Sequence, residues 1–160
     1  MAVHDSEKTT VRAAAPKDAD AVAAIYNHFV LRTIVTFEEE AVSPAEIARR
    51  MDDVRTASLP WLVAERVGAV VGFAYATAWR TRRGYRYSTE VTVYVAPDEG
   101  RRGIGSRLYE ELIPALQARG IHAALGGIAL PNDASVALHE KFGFKKVAHF
   151  EQVGVKFDRW

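Results

Sequence analysis

The chain has 160 residues, a net charge of +1, 49% hydrophobic and 26% charged residues, and no cysteine. That length suits one domain with a sizeable core, and the lack of cysteine excludes disulfides, thiolate metal ligands and a cysteine nucleophile. A nearly neutral charge gives no global pull toward nucleic acid, Met1–Thr10 lacks the apolar run of a secretory leader, and no stretch is apolar for long enough to cross a membrane; a soluble cytoplasmic protein without nucleic-acid, membrane or metal partners is expected.

Residues 1–9 are expected to be disordered. Val11–Ala14 predicts a short first strand. Pro16 suits the first turn of a helix, and Val22, Ile25, Tyr26 and Phe29 then fall on one helical face. Ser43-Pro44-Ala45-Glu46 reads as a capping box opening a helix to about Val54. Trp61–Arg66 and Val70–Trp79 are apolar runs about a Val67-Gly68-Ala69 turn, the pattern of a β-hairpin. Thr89–Val95 alternates and is rich in β-branched residues, as a strand is. Gly103-Ile104-Gly105 leads into an amphipathic helix that runs to Arg119 and stops at Gly120, with a kink expected at Pro114. Ile121–Leu130 predicts a strand, Asn132–Lys141 a helix and Val147–Val155 a final strand. The fold class is α/β, with a largely antiparallel sheet, one strand–helix–strand crossover and a single domain.

Basic residues cluster at Arg80, Arg82, Arg83 and Arg86, and again at Arg101, Arg102 and Arg107. Local clusters in a neutral chain suggest small anionic ligands; a solvated basic face is the alternative. The most informative segment runs from Val93 through Tyr94 and Val95 to Gly100-Arg101-Arg102-Gly103-Ile104-Gly105-Ser106. A strand ends, a turn rich in glycine and arginine follows, and a helix begins. Free backbone N–H groups at a helix start form an anion cradle, and glycines let phosphate oxygens approach the backbone. The alternative is that the glycines serve turn geometry alone. The segment matches neither the P-loop nor the Rossmann pattern.

The run from Val93 to Leu108 resembles the pyrophosphate-binding motif of the GNAT superfamily of N-acetyltransferases. Asn132-Asp133-Ala134-Ser135, followed by Leu138-His139-Glu140-Lys141-Phe142-Gly143-Phe144, resembles the family's second signature. Gly100 stands where relatives usually carry glutamine or arginine, and Arg101 can substitute. Tyr26-Asn27-His28, Thr36-Phe37-Glu38, Pro60–Glu65, Tyr85 and Leu130-Pro131-Asn132-Asp133 resemble the phosphinothricin and methionine sulfoximine acetyltransferases, as does His139 where other members carry tyrosine. The resemblance implies a GNAT fold, with a mixed sheet flanked by about four helices, and acetyl-coenzyme A held by residues 93–95, 100–106, Asn132 and Ser135. It implies an acceptor that is a small amino acid. It also implies a further apolar strand beyond the tryptophan matched by Trp160, so an open sheet edge, or a homodimer that covers it, is expected.

Alternation places Glu90, Thr92 and Tyr94 on one strand face and Val91, Val93 and Val95 on the other. The valines suit a core. Glu90 can serve as a general base for the amine or can be a surface glutamate paired with an arginine; the family match favours the base. His139 can hand a proton to the leaving thiolate or share the base role, or can be structural. Backbone N–H groups near Val93 or Tyr94 are candidates for the oxyanion. Asn132 can bind the coenzyme, cap a helix, or both. Arg80 and Arg82 suit a substrate carboxylate, with Phe37 and Tyr85 lining the pocket, while Arg83 and Arg86 are read as surface residues. A protein N-terminus or polyamine as acceptor, and a non-catalytic acetyl-coenzyme A sensor, remain alternatives.

Overall fold

The computed structural model describes residues 8–160; residues 1–7 of the segment expected to be disordered lie outside the described residues. Thr9 is buried, and its carbonyl lies 3.5 Å from the Arg107 guanidinium. The elements follow the expected order: β1 (Thr10–Ala13), α1 (Ala19–Arg32), α2 (Pro44–Thr56), β2 (Trp61–Arg66), β3 (Ala69–Ala78), β4 (Ser88–Val95), α3 (Ile104–Ala118), β5 (Ala123–Leu125) and α4 (Asp133–Lys141). The sheet order is β1-β2-β3-β4-β5. Its first three pairings are antiparallel and β4–β5 is parallel, with α3 as the crossover.

Local chemistry explains the boundaries. Ser43 caps α2 by accepting the Glu46 N–H at 3.1 Å, with Pro44 in the first turn. The Glu46 carboxylate does not close the capping box and turns to Arg49 and Arg50. Val67 and Gly68 both have positive φ (51° and 75°), the two-residue turn whose twist suits a hairpin. Helix α3 continues through Pro114 as one element.

Two cores form, one on each face of the sheet. Val22, Ile25, Tyr26, Val30, Ile47, Met51, Trp61 and Phe73 pack beneath α1 and α2, with Tyr94 at their edge. On the other face Ile104, Leu108, Tyr109, Leu112 and Leu116 of α3 pack on Val71, Ala74, Ala76 and Val91, with Val93 and Val95 at the margin. Each large buried side chain contributes about 1.5–3 kcal/mol. The alternation expected for β4 is therefore observed: its valines join the α3 core, and Tyr94 joins the α1–α2 face.

Two expected strands are corrected. Ile121–Leu130 shrinks to Ala123–Leu125, because Gly126 and Gly127 offer no side chains to a sheet face and pairing with β4 ends at Glu90–Leu125. Val147–Val155 forms no strand. Its apolar residues Val147, Phe150 and Val153 recur every third position, which cannot line one face of a period-two strand. They stay exposed, and the tail closes only in a turn bridging Lys156 and Arg159.

The start of the chain is fixed by charge. Asp18 is buried and accepts two hydrogen bonds from Arg12 at 2.8 and 2.9 Å and one from the Ala15 N–H at 2.8 Å, while Arg12 also reaches Glu65 of β2. The Arg12 hydrogen bonds hold the Asp18 carboxyl below its ordinary range. A carboxylate with a depressed folded-state pKa stabilises fully above its unfolded value, about pH 4, and loses that contribution as pH falls through the folded value. Asp18→Asn should cost about 1.5–3 kcal/mol, the range for hydrogen bonds to charged groups. It should also flatten the loss of stability below about pH 4. Urea unfolding across a pH series checks both effects; an equally steep acid slope in the variant would assign the slope to other carboxylates.

Candidate active site

The sheet opens at Glu90. Hydrogen bonds from Trp79 N–H to Ser88 C=O (3.1 Å) and from Ala96 N–H to Val71 C=O (2.9 Å) bracket the β3–β4 ladder. In an antiparallel ladder, a residue's N–H and C=O point the same way and alternate along the strand. Ser88, Glu90, Thr92 and Tyr94 therefore direct theirs to β3, and Val91, Val93 and Val95 direct theirs to the other side. There β5 pairs only with Ser88–Glu90. Among the described residues no strand meets β4 beyond that point. The N–H of Val91 completes the last bridge, to the Leu125 carbonyl, and the N–H groups of Val93 and Val95 consequently border a wedge. Of the two amides considered for an oxyanion, that of Val93 faces the wedge and that of Tyr94 is committed to the ladder with Phe73.

The wedge leads to the start of α3. After β4 a single 3-10 turn, Pro97–Glu99, brings the chain to Gly100 and Arg101. Arg101 has φ 63° and Gly103, the residue before the helix, φ 74°. Arg107 N–H bonds back to Gly103 C=O at 3.0 Å. The N–H groups of Ile104, Gly105 and Ser106 have no intrahelical acceptor, while the buried Ile104 side chain pins the turn into the α3 core. Gly105 permits close approach of α4, since a Cβ there would lie 3.0 Å from Leu138. Arg101 is exposed and has no ion-pair partner among the described residues. Arg102 pairs with Glu99 at 3.1 Å, and Glu99 also holds Arg66. Ser106 Oγ accepts from Lys141 at 2.9 Å, tying α3 to α4. Asn132 caps α4, its Oδ1 accepting the Ser135 N–H at 3.2 Å.

Glu90 and His139 flank two consecutive glycines. A Cβ at Gly127 would stand 3.2 Å from Glu90 Oε1, and one at Gly126 would stand 2.7 Å from the His139 ring. Glu90 is half-buried, and its carboxylate has no hydrogen-bond or ion-pair partner among the described residues, so the arginine pairing considered for it is not made. His139 is buried. Its Nδ1 lies 2.7 Å from the Ser135 carbonyl and its Nε2 2.9 Å from the Tyr109 hydroxyl. A carbonyl only accepts, so Nδ1 carries a hydrogen, and Nε2 of the neutral ring accepts from Tyr109. Burial pushes the Tyr109 phenol up and keeps it a donor. Tyr109 and Phe144 meet the imidazole edge to face, and Phe142 packs on Tyr109.

Arg80, Thr81, Arg82 and Tyr85 line one open pocket of about 420 Å³. Neither guanidinium has a carboxylate partner among the described residues; that of Arg80 lies 5.3 Å from the centre of the Trp79 ring. Trp79 pairs with Ser88, two residues and roughly 7 Å of strand from Glu90. Phe37 is 54% exposed and packs on Gly154; it is not itself among the residues lining the arginine pocket.

An unpaired carboxylate at the mouth of a split sheet, with a helix start at the far end of the split, joins the two sequence signatures in one site. Residues 11–160 match the family model described as "Acetyltransferase (GNAT) domain". The chain belongs to the GNAT acetyltransferases. It is 39% identical to a phosphinothricin N-acetyltransferase of Streptomyces coelicolor, over 94% of this chain and 90% of that one. It is 37% identical to an L-methionine sulfoximine/L-methionine sulfone acetyltransferase of Salmonella typhimurium, over 94% and 88%. Among solved structures, a GNAT phosphinothricin acetyltransferase from Sinorhizobium meliloti in complex with acetyl-coenzyme A superposes with a TM-score of 0.91 at 35% identity, covering 95% of this chain and 83% of that one. A ribosomal-protein-alanine N-acetyltransferase from Brucella melitensis gives 0.92 at 38%, covering 94% and 93%.

This GNAT protein is an acyltransferase that uses acetyl-coenzyme A as cosubstrate, which supplies the activated acetyl thioester. The residues present fit it. Strand-edge amides suit its amide-bearing arm, and the free N–H groups of Ile104–Ser106, with Arg101, suit its pyrophosphate. Sequence reasoning missed Tyr109, the Gly126-Gly127 pair and Lys156. The consecutive glycines inside an expected strand, and a lone lysine within Val153–Phe157, were the available signals.

Gly103 tests the cradle. A Cβ there meets nothing within 4 Å, and the left-handed backbone costs a side chain about 1–2 kcal/mol. Gly103→Ala should fold and bind nearly normally. Gly103→Glu should weaken acetyl-coenzyme A binding by roughly tenfold or more, because its carboxylate confronts the phosphates. Titration calorimetry on folded protein decides; equal affinities for the two variants would place the phosphates elsewhere.

Proposed function

We propose that this enzyme acetylates the α-amine of a small glutamate-like amino acid such as phosphinothricin or methionine sulfoximine. The observation that carries the reading is the pair of unpaired guanidiniums, Arg80 and Arg82, around one pocket at the end of the strand that bears the unpaired Glu90. A planar guanidinium suits a carboxylate, and a carboxylate beside an ammonium can take its proton. Glu90 removes the amine proton, directly or through water. The Val93 N–H stabilises the charge developing on the acetyl oxygen. The new N–C bond replaces the C–S bond, and the proton taken from the amine returns to the departing sulfur; His139 can serve that transfer only after Nε2 has itself gained a proton, since its Nδ1–H is held by the Ser135 carbonyl. Phe37 and Tyr85 bound the acceptor, while Asn132 and Ser135 position the coenzyme side through the start of α4.

A second acceptor class, a protein N-terminal alanine, is favoured by the likeness to the Brucella melitensis protein. Unpaired arginines disfavour a polycationic acceptor. One experiment separates these: thiol release from acetyl-coenzyme A with methionine sulfoximine, phosphinothricin, their decarboxylated amines and a peptide beginning with alanine. Rapid turnover of the intact amino acids and poor turnover of the decarboxylated amines is expected. Preference for the peptide would move the acceptor to proteins. On the preferred amine, Glu90→Gln should lower kcat by about 10²–10⁴-fold, with a smaller deficit at high pH where the amine is already neutral. An unchanged pH–rate profile would remove Glu90 from the role.

A cytoplasmic location and a homodimer belong to the same proposal. The dimer is supported by the exposed Val147, Phe150, Val153, Phe157 and Trp160, an apolar set suited to a second copy. The C-terminal segments would then lie near the partner's acceptor pocket. Sedimentation at micromolar concentration should give twice 17.7 kDa; a fully active monomer would overturn this.

A further inference from the structure

Lys156 is 1% exposed, among the most buried side chains described. A buried ammonium persists only where its donors are used. Lys156 Nζ donates to the Val30 carbonyl at 2.5 Å and to the Thr36 carbonyl at 2.8 Å, and lies 5.0 Å from the centre of the Phe157 ring. Val30 is in the last turn of α1, where carbonyls lack helical partners and a cation is favoured. Thr36 precedes Phe37 in the connection between α1 and α2. The same connection is held by Tyr26, whose hydroxyl lies 2.8 Å from Thr36 Oγ1, and by Arg50, which pairs with Glu38 at 2.8 Å. Tyr26 in turn meets Tyr94 of β4 edge to face at 5.2 Å. Two residues before Lys156, Gly154 gives the Phe37 ring its seat, since a Cβ there would fall 2.5 Å from the ring.

We propose that Lys156 is a positioning residue for the acceptor site: by tying the carbonyls of Val30 and Thr36 to the C-terminal segment, it fixes Phe37 on Gly154 and so sets acceptor affinity. The proposal rests on the reading that Phe37 borders the acceptor. The ammonium touches neither the wedge nor the start of α3, so its effect is confined to one substrate. Burial lowers the Lys156 pKa, and Glu39 and Glu38 oppose that shift. The side chain thus has a desolvation cost that a purely apolar residue would avoid, which is why an isosteric apolar replacement is informative.

The test uses Lys156→Met, which keeps length and removes the ammonium, with Phe37→Ala, the double variant, and Gly154→Ala, which displaces a half-exposed ring without touching the lysine. Steady-state kinetics should show the acceptor KM rising roughly tenfold, the 1.4 kcal/mol of one weakened contact set. The acetyl-coenzyme A KM should stay unchanged. In the Phe37→Ala background, Lys156→Met should add little, because the ring it positions is gone. Gly154→Ala should raise the acceptor KM as well, and it carries the test if Lys156→Met does not fold. Hydrogen exchange of residues 33–38 should quicken in Lys156→Met whatever the acceptor. Unchanged acceptor KM in the folded variants, equal rises in both KM values, or full additivity with Phe37→Ala would overturn the proposal. A wild-type enzyme that acetylates no small amino acid would overturn the acceptor assignment instead, and exchange at 33–38 would still report whether Lys156 ties the loop.

Discussion

Three paired residues between β4 and β5 decide how this sheet becomes a site. Had β5 continued in register, the N–H and C=O groups of Val93 and Val95 would be spent on a neighbouring strand, and the wedge would be closed. Pairing stops at Glu90–Leu125 because the next two residues are Gly126 and Gly127. Those glycines also leave room for the two side chains with acid–base chemistry. A Cβ on one would crowd Glu90 and a Cβ on the other would strike the His139 ring. Strand divergence, free amides and the placement of both groups thus share one local cause.

The helix side of the wedge is rigid for a different reason. Ile104, Leu108 and Leu112 bury α3 against the valine face of β4, and Ser106 is held to Lys141 of α4. His139 sits in the same packing, with Ser135 on one nitrogen and Tyr109 on the other. Any proton that it gives or takes must therefore pass at Nε2, the atom shared with the Tyr109 hydroxyl. The connection that carries Phe37, proposed to border the acceptor, lies over the opposite core, beneath α1 and α2. The two cores have few residues in common, so a defect on one side of the sheet can leave the packing of the other intact.

The helices and central strands were legible because each carries a period and a stop. Ser43 with Pro44, Gly120 after α3 and the Val67-Gly68 turn mark boundaries through backbone chemistry that any context would impose. The tail was misread because Val147, Phe150, Val153 and Val155 supply β-forming residues without a consistent period of two. The glycine-arginine loop and Glu90 were readable as candidates, since a helix start and a face-alternating carboxylate depend on local sequence. Tyr109, which bonds His139 from thirty positions away, and Lys156, which reaches back to Val30 and Thr36, depend on tertiary approach. Periodicity holds no trace of either.

Charge pairing shows where the molecule keeps attraction in reserve. The net charge is +1, so long-range steering is weak, and a Debye length of about 8 Å leaves only local charge to act on a ligand. Arg12, Arg49, Arg50, Arg55, Arg66 and Arg102 all have carboxylate partners. Arg80, Arg82 and Arg101 have none among the described residues, and neither do Arg32, Arg83, Arg86, Arg107, Arg119 and Arg159. Of these, Arg80 and Arg82 line the pocket proposed for the acceptor carboxylate and Arg101 borders the turn proposed for the coenzyme phosphates. Surface ion pairs contribute little to stability, so leaving an arginine unpaired costs the fold little. In the proposed reaction it leaves a cation for each anionic group, with the unpaired Glu90 on the strand between them.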